Sequence, residues 1–304
     1  MKKITSLSTF SLQLRYGDEE TIRIAAEIGA KAIDFSTFKI NDCRKPETVY
    51  GKGEGYVTEY YSRLRELADS LGVRICQTHG QVSGFDKDPE HNEAILKNAR
   101  LDLLATRLLG APVSVMHSVT TIRMGPDCPR ETMQELNYSM FMQLAEMAKR
   151  ESVLLATETF GDAPKFGCCD FFGNIDEFEE SYLRVRNSGF EDTFKICIDT
   201  GHSNKAMRFG NPTPANVIRR LGRGGDIVCL HLNDNDTLTD QHKIPCTGCI
   251  AWNDVFDALD EVGYSGYYNM EVVLGKHFGE NFLREEAEFA VKVMDNLLNE
   301  RYGA

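Results

Sequence analysis

The sequence contains no run of eighteen apolar residues, so no helical membrane span is expected. It has no surplus of basic charge: 34 Lys and Arg stand against 46 Asp and Glu, for a formal net charge of -12. A surface of that sign repels polyanions and disfavours extended contact with nucleic acid. No low-complexity stretch and no Pro/Gly-rich linker interrupts the chain, so residues 1–304 are expected to form a single domain. The start, Met1-Lys2-Lys3-Ile4-Thr5, leads into no apolar segment or cleavage site, because Gln13, Arg15 and Asp18 follow soon after. A cytoplasmic location is the expectation. Zinc-ribbon spacing is missing too. Cys246-Thr247-Gly248-Cys249 has no second CxxC, and Cys168-Cys169 has the wrong separation. Cys76, Cys197 and Cys229 sit in apolar stretches, where a free thiol packs as a small hydrophobe.

What the chain does have is an alternation of short β-branched runs and longer amphipathic stretches. The runs lie at 3–9, 31–36, 73–79, 112–117, 152–158, 194–199, 226–231 and 266–272. Each is short and apolar on both faces, as buried parallel strands are. Tyr60, Leu64, Leu67 and Leu71 fall at helical spacing. So do Leu136, Met140, Leu144 and Met147, and Phe289, Val293 and Leu297. Asp18 is placed to cap the first helix and Gly29 to end it. A doubly wound sheet carries a Gly-rich phosphate loop after its first strand, and residues 10–18 supply none. The expected fold is therefore α/β, a single-domain (β/α)8 TIM barrel.

Such a barrel keeps its active site at the C-terminal ends of its strands. The third predicted strand ends in Thr78-His79, the fourth in Met116-His117 and the fifth in Thr157-Glu158-Thr159. The sixth ends in Asp199-Thr200-Gly201-His202, the seventh in His231-Leu232-Asn233-Asp234 and the eighth in Asn269-Met270-Glu271. The loop after the seventh adds Asp240-Gln241-His242. Of seven histidines, only His91 and His277 lie outside this set. A lone strand-end His or carboxylate is more often a hydrogen-bonded or capping residue than a ligand. Six strands that aim ionisable groups into one mouth are a different matter. Converging carboxylates repel one another, and a divalent cation removes that cost. Carboxylate and imidazole together suit zinc, manganese or another first-row ion such as cobalt.

These residues resemble the xylose-isomerase-like barrel superfamily. The most specific segments are Ile196-Cys197-Ile198-Asp199-Thr200-Gly201-His202, His231-Leu232-Asn233-Asp234 and Asn269-Met270-Glu271. Asp240-Gln241-His242-Lys243-Ile244-Pro245-Cys246-Thr247-Gly248 is similar to the D-x-H, Pro, Gly loop of that superfamily, ahead of a helix opening at Trp252. The resemblance implies one divalent metal held by Glu158, Asp199, His231 and Glu271, with His202 facing the substrate and His79, His117 and His242 lining the mouth. It implies a sugar, sugar-phosphate or cyclitol isomerase or epimerase. Glu158 and Glu271 would pass protons at the carbon beside a carbonyl, and the metal would stabilise the enediolate. Superfamily members often dimerise or tetramerise, so a homo-oligomer is also expected.

Two alternatives stay open. The apurinic-site endonucleases of the same superfamily hold three zinc ions, and every ligand type they need has a counterpart here: His79, His117, Glu158, Asp199, His202, His231, Asp240, His242 and Glu271. Against that reading stand the acidic charge and the loop Gly80-Gln81-Val82-Ser83-Gly84, which lacks the apolar wedge that opens a duplex. A non-catalytic sugar-binding barrel is the other alternative, though binding alone does not need two proton-transfer groups. The Arg that ketose 3-epimerases carry after the strand-seven His is missing from Asn233-Asp234-Asn235-Asp236-Thr237. Arg123, Lys205, Arg208 and Lys243 lie in mouth loops, where solvated surface charge is the favoured reading. Asn233 reads as a loop cap.

Overall fold

The computed structural model describes residues 3–38, 40–276 and 278–303, so His277 lies outside the described residues. Eight parallel strands form the barrel: β1 (Thr5–Ser8), β2 (Ala32–Ser36), β3 (Arg74–His79), β4 (Val113–Met116), β5 (Leu154–Glu158), β6 (Phe194–Asp199), β7 (Ile227–His231) and β8 (Tyr268–Met270). Each pairs with the next, and β1 pairs with β8. Closure between β7 and β8 rests on one bridge, Leu232 to Met270. Two hydrogen bonds flank it, from Leu232 N–H to Asn269 O at 2.8 Å and from Glu271 N–H to Leu232 O at 3.1 Å. The predicted strands are all present and run longer than the observed ones at most ends.

Alternation along the strands places the site. Ladder partners point to the same face, and so do residues two apart. Val115 pairs with Ala156, Glu158 with Cys197, Cys197 with Cys229, and Asp199 with His231. Ala156 and Glu158, Cys197 and Asp199, and Cys229 and His231 therefore share one inward face. Beneath the polar layer, Val113, Val115, Ala156, Cys197 and Cys229 form a small apolar cluster of their own. The buried thiols pack there as small hydrophobes, and all nine cysteines are free.

Helices surround the barrel and bury the larger core between themselves and the strands. Glu54–Leu71 ends at Gly72 in the left-handed region, and Pro89–Leu109 starts at Asp88, whose side chain accepts the Glu90 N–H. The buried face of the first is Val57, Tyr61, Leu64 and Ala68, rotated one residue from the predicted stripe. Tyr60 is only partly buried, because its hydroxyl donates to Asp18 Oδ2 at 2.8 Å. In Leu283–Tyr302 the buried face is Ala287, Ala290, Val291, Met294 and Leu298, whereas Phe289 is exposed. Asp18 is not a cap: Gly17 holds that position, and Asp18 accepts from Gln13 and Tyr60 instead. Trp252 does open the helix Trp252–Glu261. Among the described residues no helix is long and apolar enough to cross a membrane.

Candidate active site

Each strand-end residue sits two positions beyond an inward-facing one, so six strands deliver a donor to the same level of the mouth. Glu158, Asp199, His231 and Glu271 each offer a ligand atom, and all four atoms lie within 4.8 Å of one another. Two further sets meet the same distance, His79 with His117 and Glu158, and Asp199 with His202 and His242. A fourth combines Asp34 with His79 and His231. Asp240 belongs to none of them among the described residues. It stands at the rim, 3.7 Å from His202 Nε2 and 3.3 Å from His242 Nε2.

Glu158, Asp199 and His231 are buried, Glu271 is partly exposed to the mouth, and several of the donor atoms are short of hydrogen bonds. Among the described residues both Glu158 oxygens and both His231 ring nitrogens are buried without a hydrogen-bond partner, as is His79 Nδ1. Yet His231 Nδ1 lies 3.0 Å from Glu158 Oε1, His117 Nε2 lies 3.0 Å from Glu158 Oε2, and His79 Nδ1 lies 3.1 Å from Glu271 Oε1. Close donors and acceptors that miss each other's hydrogen-bond geometry suit a shared cation. Buried polar groups otherwise find partners. The residues fit a divalent metal with oxygen and nitrogen ligands.

Electrostatics point the same way. Burial pushes the Asp199 carboxyl up to about 7; the charges of Glu158 and Glu271 add to the rise, while His202 and His242 oppose it. Burial would also raise Glu158, but the imidazoles of His231 and His117 outweigh it and hold that carboxyl well below its usual range. Against its own burial, His231 is held well above the usual imidazole value by Glu271 and Glu158. His242 rises to about 9, because Asp240 and Glu271 overcome its burial. Burial lowers His117, even beside Glu158.

A set of supporting contacts fixes the donors. Asn233 is not merely a loop cap: its amide donates to Asp199 Oδ2 at 2.8 Å, while Asp199 Oδ1 accepts the His202 N–H at 2.6 Å. Gly201 is required between them, because a Cβ there would collide with Asn233 Oδ1. The loop after β7 is knotted by Asp234, which accepts from Trp252 Nε1 at 2.8 Å, Asn235 N–H at 2.9 Å and Ile250 N–H at 3.1 Å. His242 hangs from this loop at φ 45°, with its Nδ1 3.0 Å from Glu271 O. Asp34, on β2, was not singled out from the sequence. Its Oδ2 lies 3.5 Å from His231 Nε2. A lone carboxylate inside an otherwise apolar strand was the available signal.

Above the donors opens a cavity of about 430 Å³ lined by Phe10, Phe38, Val82, Phe160, Val272 and Val273 on its apolar walls, and by Glu271, Asp240 and four of the histidines. Glu158 does not line it; the cavity meets that carboxylate through His117. Among the described residues no Lys or Arg lines the cavity. Three of the mouth-loop cations are held by carboxylates, Lys205 also lying 3.7 Å from the rim Asp240. Arg123 pairs with Asp86, and Arg208 and Lys205 both pair with Asp162. Lys205 departs from the solvated reading, since it is buried. Cys246 and Cys249 are exposed free thiols.

The sequence profile of the xylose isomerase-like TIM barrels matches residues 22–293. The chain belongs to that family. A protein of Sinorhizobium fredii (strain NBRC 101917 / NGR234), the uncharacterized y4fM, is 24% identical over 217 residues, which are 70% of this chain and 64% of that relative. The chain thus spans just under two thirds of that relative's length. Among solved structures, a D-tagatose 3-epimerase-like protein superposes with a TM-score of 0.73 at 19% identity, covering 98% of this chain and 99% of that one. The IOLI protein, solved with a bound zinc atom, also gives 0.73, at 15% identity, with coverage of 99% and 100%. At these identities the likeness carries the fold. The structural neighbours of this family member include sugar epimerases.

Proposed function

We propose that the chain is a divalent-metal-dependent isomerase or epimerase of a small, uncharged sugar or cyclitol. One observation carries the reading: Glu271, within ligand distance of Glu158, Asp199 and His231, lines a cavity that holds no Lys or Arg among the described residues. A phosphorylated or carboxylate substrate calls for a cation in that wall. The volume of about 430 Å³ suits a monosaccharide-sized ligand. The epimerases among the structural neighbours, and the zinc atom of the IOLI structure, support the assignment.

Glu158, Asp199, His231 and Glu271 would hold the metal. When bound, the ion supplies Lewis-acid polarisation of a substrate carbonyl. Glu271 faces the cavity and is placed to take or return the proton on the neighbouring carbon. Glu158, the second proton-transfer group of this reading, stands behind His117, whose Nε2 is 3.0 Å from its Oε2. His202 packs 4.7 Å from the Phe160 ring and offers its edge to a substrate hydroxyl. The test is solvent deuterium incorporation across a panel of neutral aldoses, ketoses and inososes. Exchange should appear with wild type and fall at least about 100-fold in Glu271→Gln. Full exchange in that variant would refute the proton-transfer role.

The donor sets His79–His117–Glu158 and Asp199–His202–His242 favour a second reading, a three-metal phosphodiester-cleaving centre like that of the apurinic-site endonucleases. Nicking of abasic-site duplex at physiological salt, with about three ions bound per chain, would support it over the first.

A further inference from the structure

Lys205 is a buried cation beside the site. It lies one turn after His202 on the helix Thr200–Ala206 and is 3% exposed. Its Nζ is 2.6 Å from Asp162 Oδ1, and Arg208 reaches Asp162 Oδ2 at 2.6 Å. Asp162 is itself buried. One carboxylate therefore serves two cations, and the trio keeps one positive charge in excess. That excess faces the site: Lys205 Nζ is 3.7 Å from Asp240 Oδ1. Among the described residues, Asp162 and Asp240 are the carboxylates within ion-pair reach of Lys205. Asp240 is also the rim acid left out of every donor set, although it stands between His202 and His242.

The arrangement has a direct electrostatic meaning. A buried ammonium needs an anion, and Asp240 supplies the second half of that need. An ion at Asp199, His202 and His242 would also draw on Asp240, and would meet the charge of Lys205 in a shielded environment where like charges repel strongly. The inner quartet is not similarly exposed, because none of its members is within ion-pair reach of Lys205.

We propose that Lys205 sets the number of metal ions the site takes, weakening a cation at the outer set Asp199–His202–His242 while leaving the inner quartet to fill. The inference rests on the metal-centre reading above and adds a selectivity residue to it. Lys205 is a positioning residue: it acts through Asp240 and touches no ligand of the inner quartet.

The test is a titration of chelator-treated full-length protein with Zn(II) and with Co(II), followed by calorimetry and by Co(II) d–d absorption. Wild type should show one tight class of about one ion per chain and a weak outer class. Lys205→Met should tighten the outer class at least about tenfold and leave the inner class within about twofold. Asp162→Asn frees Lys205 and Arg208 from their shared anion and should weaken the outer class. Lys205→Arg should behave as wild type. Opposite shifts in two variants cannot come from a general loss of fold. An outer class that is unchanged or weaker in Lys205→Met, with the inner class filling normally, overturns the role of Lys205 alone. A tighter outer class in Asp162→Asn does the same, and decides the matter if Lys205→Met does not fold. Failure of wild type to bind even the inner ion overturns the metal-centre reading, and this inference with it.

Discussion

Asp34 Oδ2 lies 3.5 Å from His231 Nε2, on the opposite side of the ring from Glu158, whose Oε1 is 3.0 Å from Nδ1. The imidazole thus stands between a carboxylate within ion-pair distance and the donor cage it faces. Such outer carboxylates fix the tautomer and raise ligand basicity. Asp34→Asn should weaken Zn(II) or Co(II) binding at the quartet by about 10- to 100-fold while the fold persists. Chelator competition reads the affinity, and unaltered binding would count against the ligand role of His231.

Asn233 and Gly201 give a second, independent handle on the same cage. Asn233→Ala removes the 2.8 Å bond to Asp199, and Gly201→Ala pushes the Asn233 side chain aside. Both should lower cation affinity with Asp199 still present, by about tenfold for the lost hydrogen bond. A Gly201→Ala protein with wild-type affinity would show that Asn233 does not position Asp199.

Asp234 carries stability more than chemistry. It accepts three hydrogen bonds, from Trp252, Asn235 and Ile250, and it is fully buried. Removing the acceptor leaves three buried donors without a partner. Asp234→Ala should cost roughly 3 kcal/mol or more, read as a drop in the urea midpoint. A loss under about 0.5 kcal/mol, the range of ordinary surface substitutions, would show that the loop re-pairs.

The pH dependence has opposite signs in the two states of metal loading. In the metal-free chain His242 titrates at about 9, raised above its ordinary value of 6.5. The folded state therefore binds the extra proton. This contribution is fully present below about 6.5 and is lost as pH rises through about 9. His231, raised for the same kind of reason, must also release its proton to ligate a metal. Cation binding should release protons near neutral pH, and affinity should rise with pH. Calorimetry in buffers of different ionisation enthalpy measures the release. Binding without proton exchange at pH 7 would contradict the assignment.

Much of this was legible in the sequence because the barrel's geometry is periodic. Cys197 to Asp199, Cys229 to His231 and Ala156 to Glu158 are two-residue steps, so a strand end in the right place implies an inward side chain. What escaped was whatever depends on neighbours in space. The stripe on Glu54–Leu71 is shifted because Tyr60 is drawn toward Asp18, a contact across 42 residues. Phe289 reads as core by spacing, yet lies exposed because the helix turns Ala287, Ala290, Val291 and Met294 to the core instead. Lys205 reads as surface until Asp162, from the loop after β5, is folded against it. Asp34 is one acid among many in the chain, and only the curl of the sheet into a barrel brings it within 3.5 Å of His231.

The narrow join between β7 and β8 gives the quartet a mechanical side. His231 ends one strand and Glu271 follows the other, on either side of the Leu232–Met270 bridge. An ion gripped by both would rivet the hoop at its thinnest point. Loading and unloading would then be felt around the ring, as slower or faster amide exchange at Leu232 and Glu271, and the circumference of the barrel would become something the bound ion helps to set.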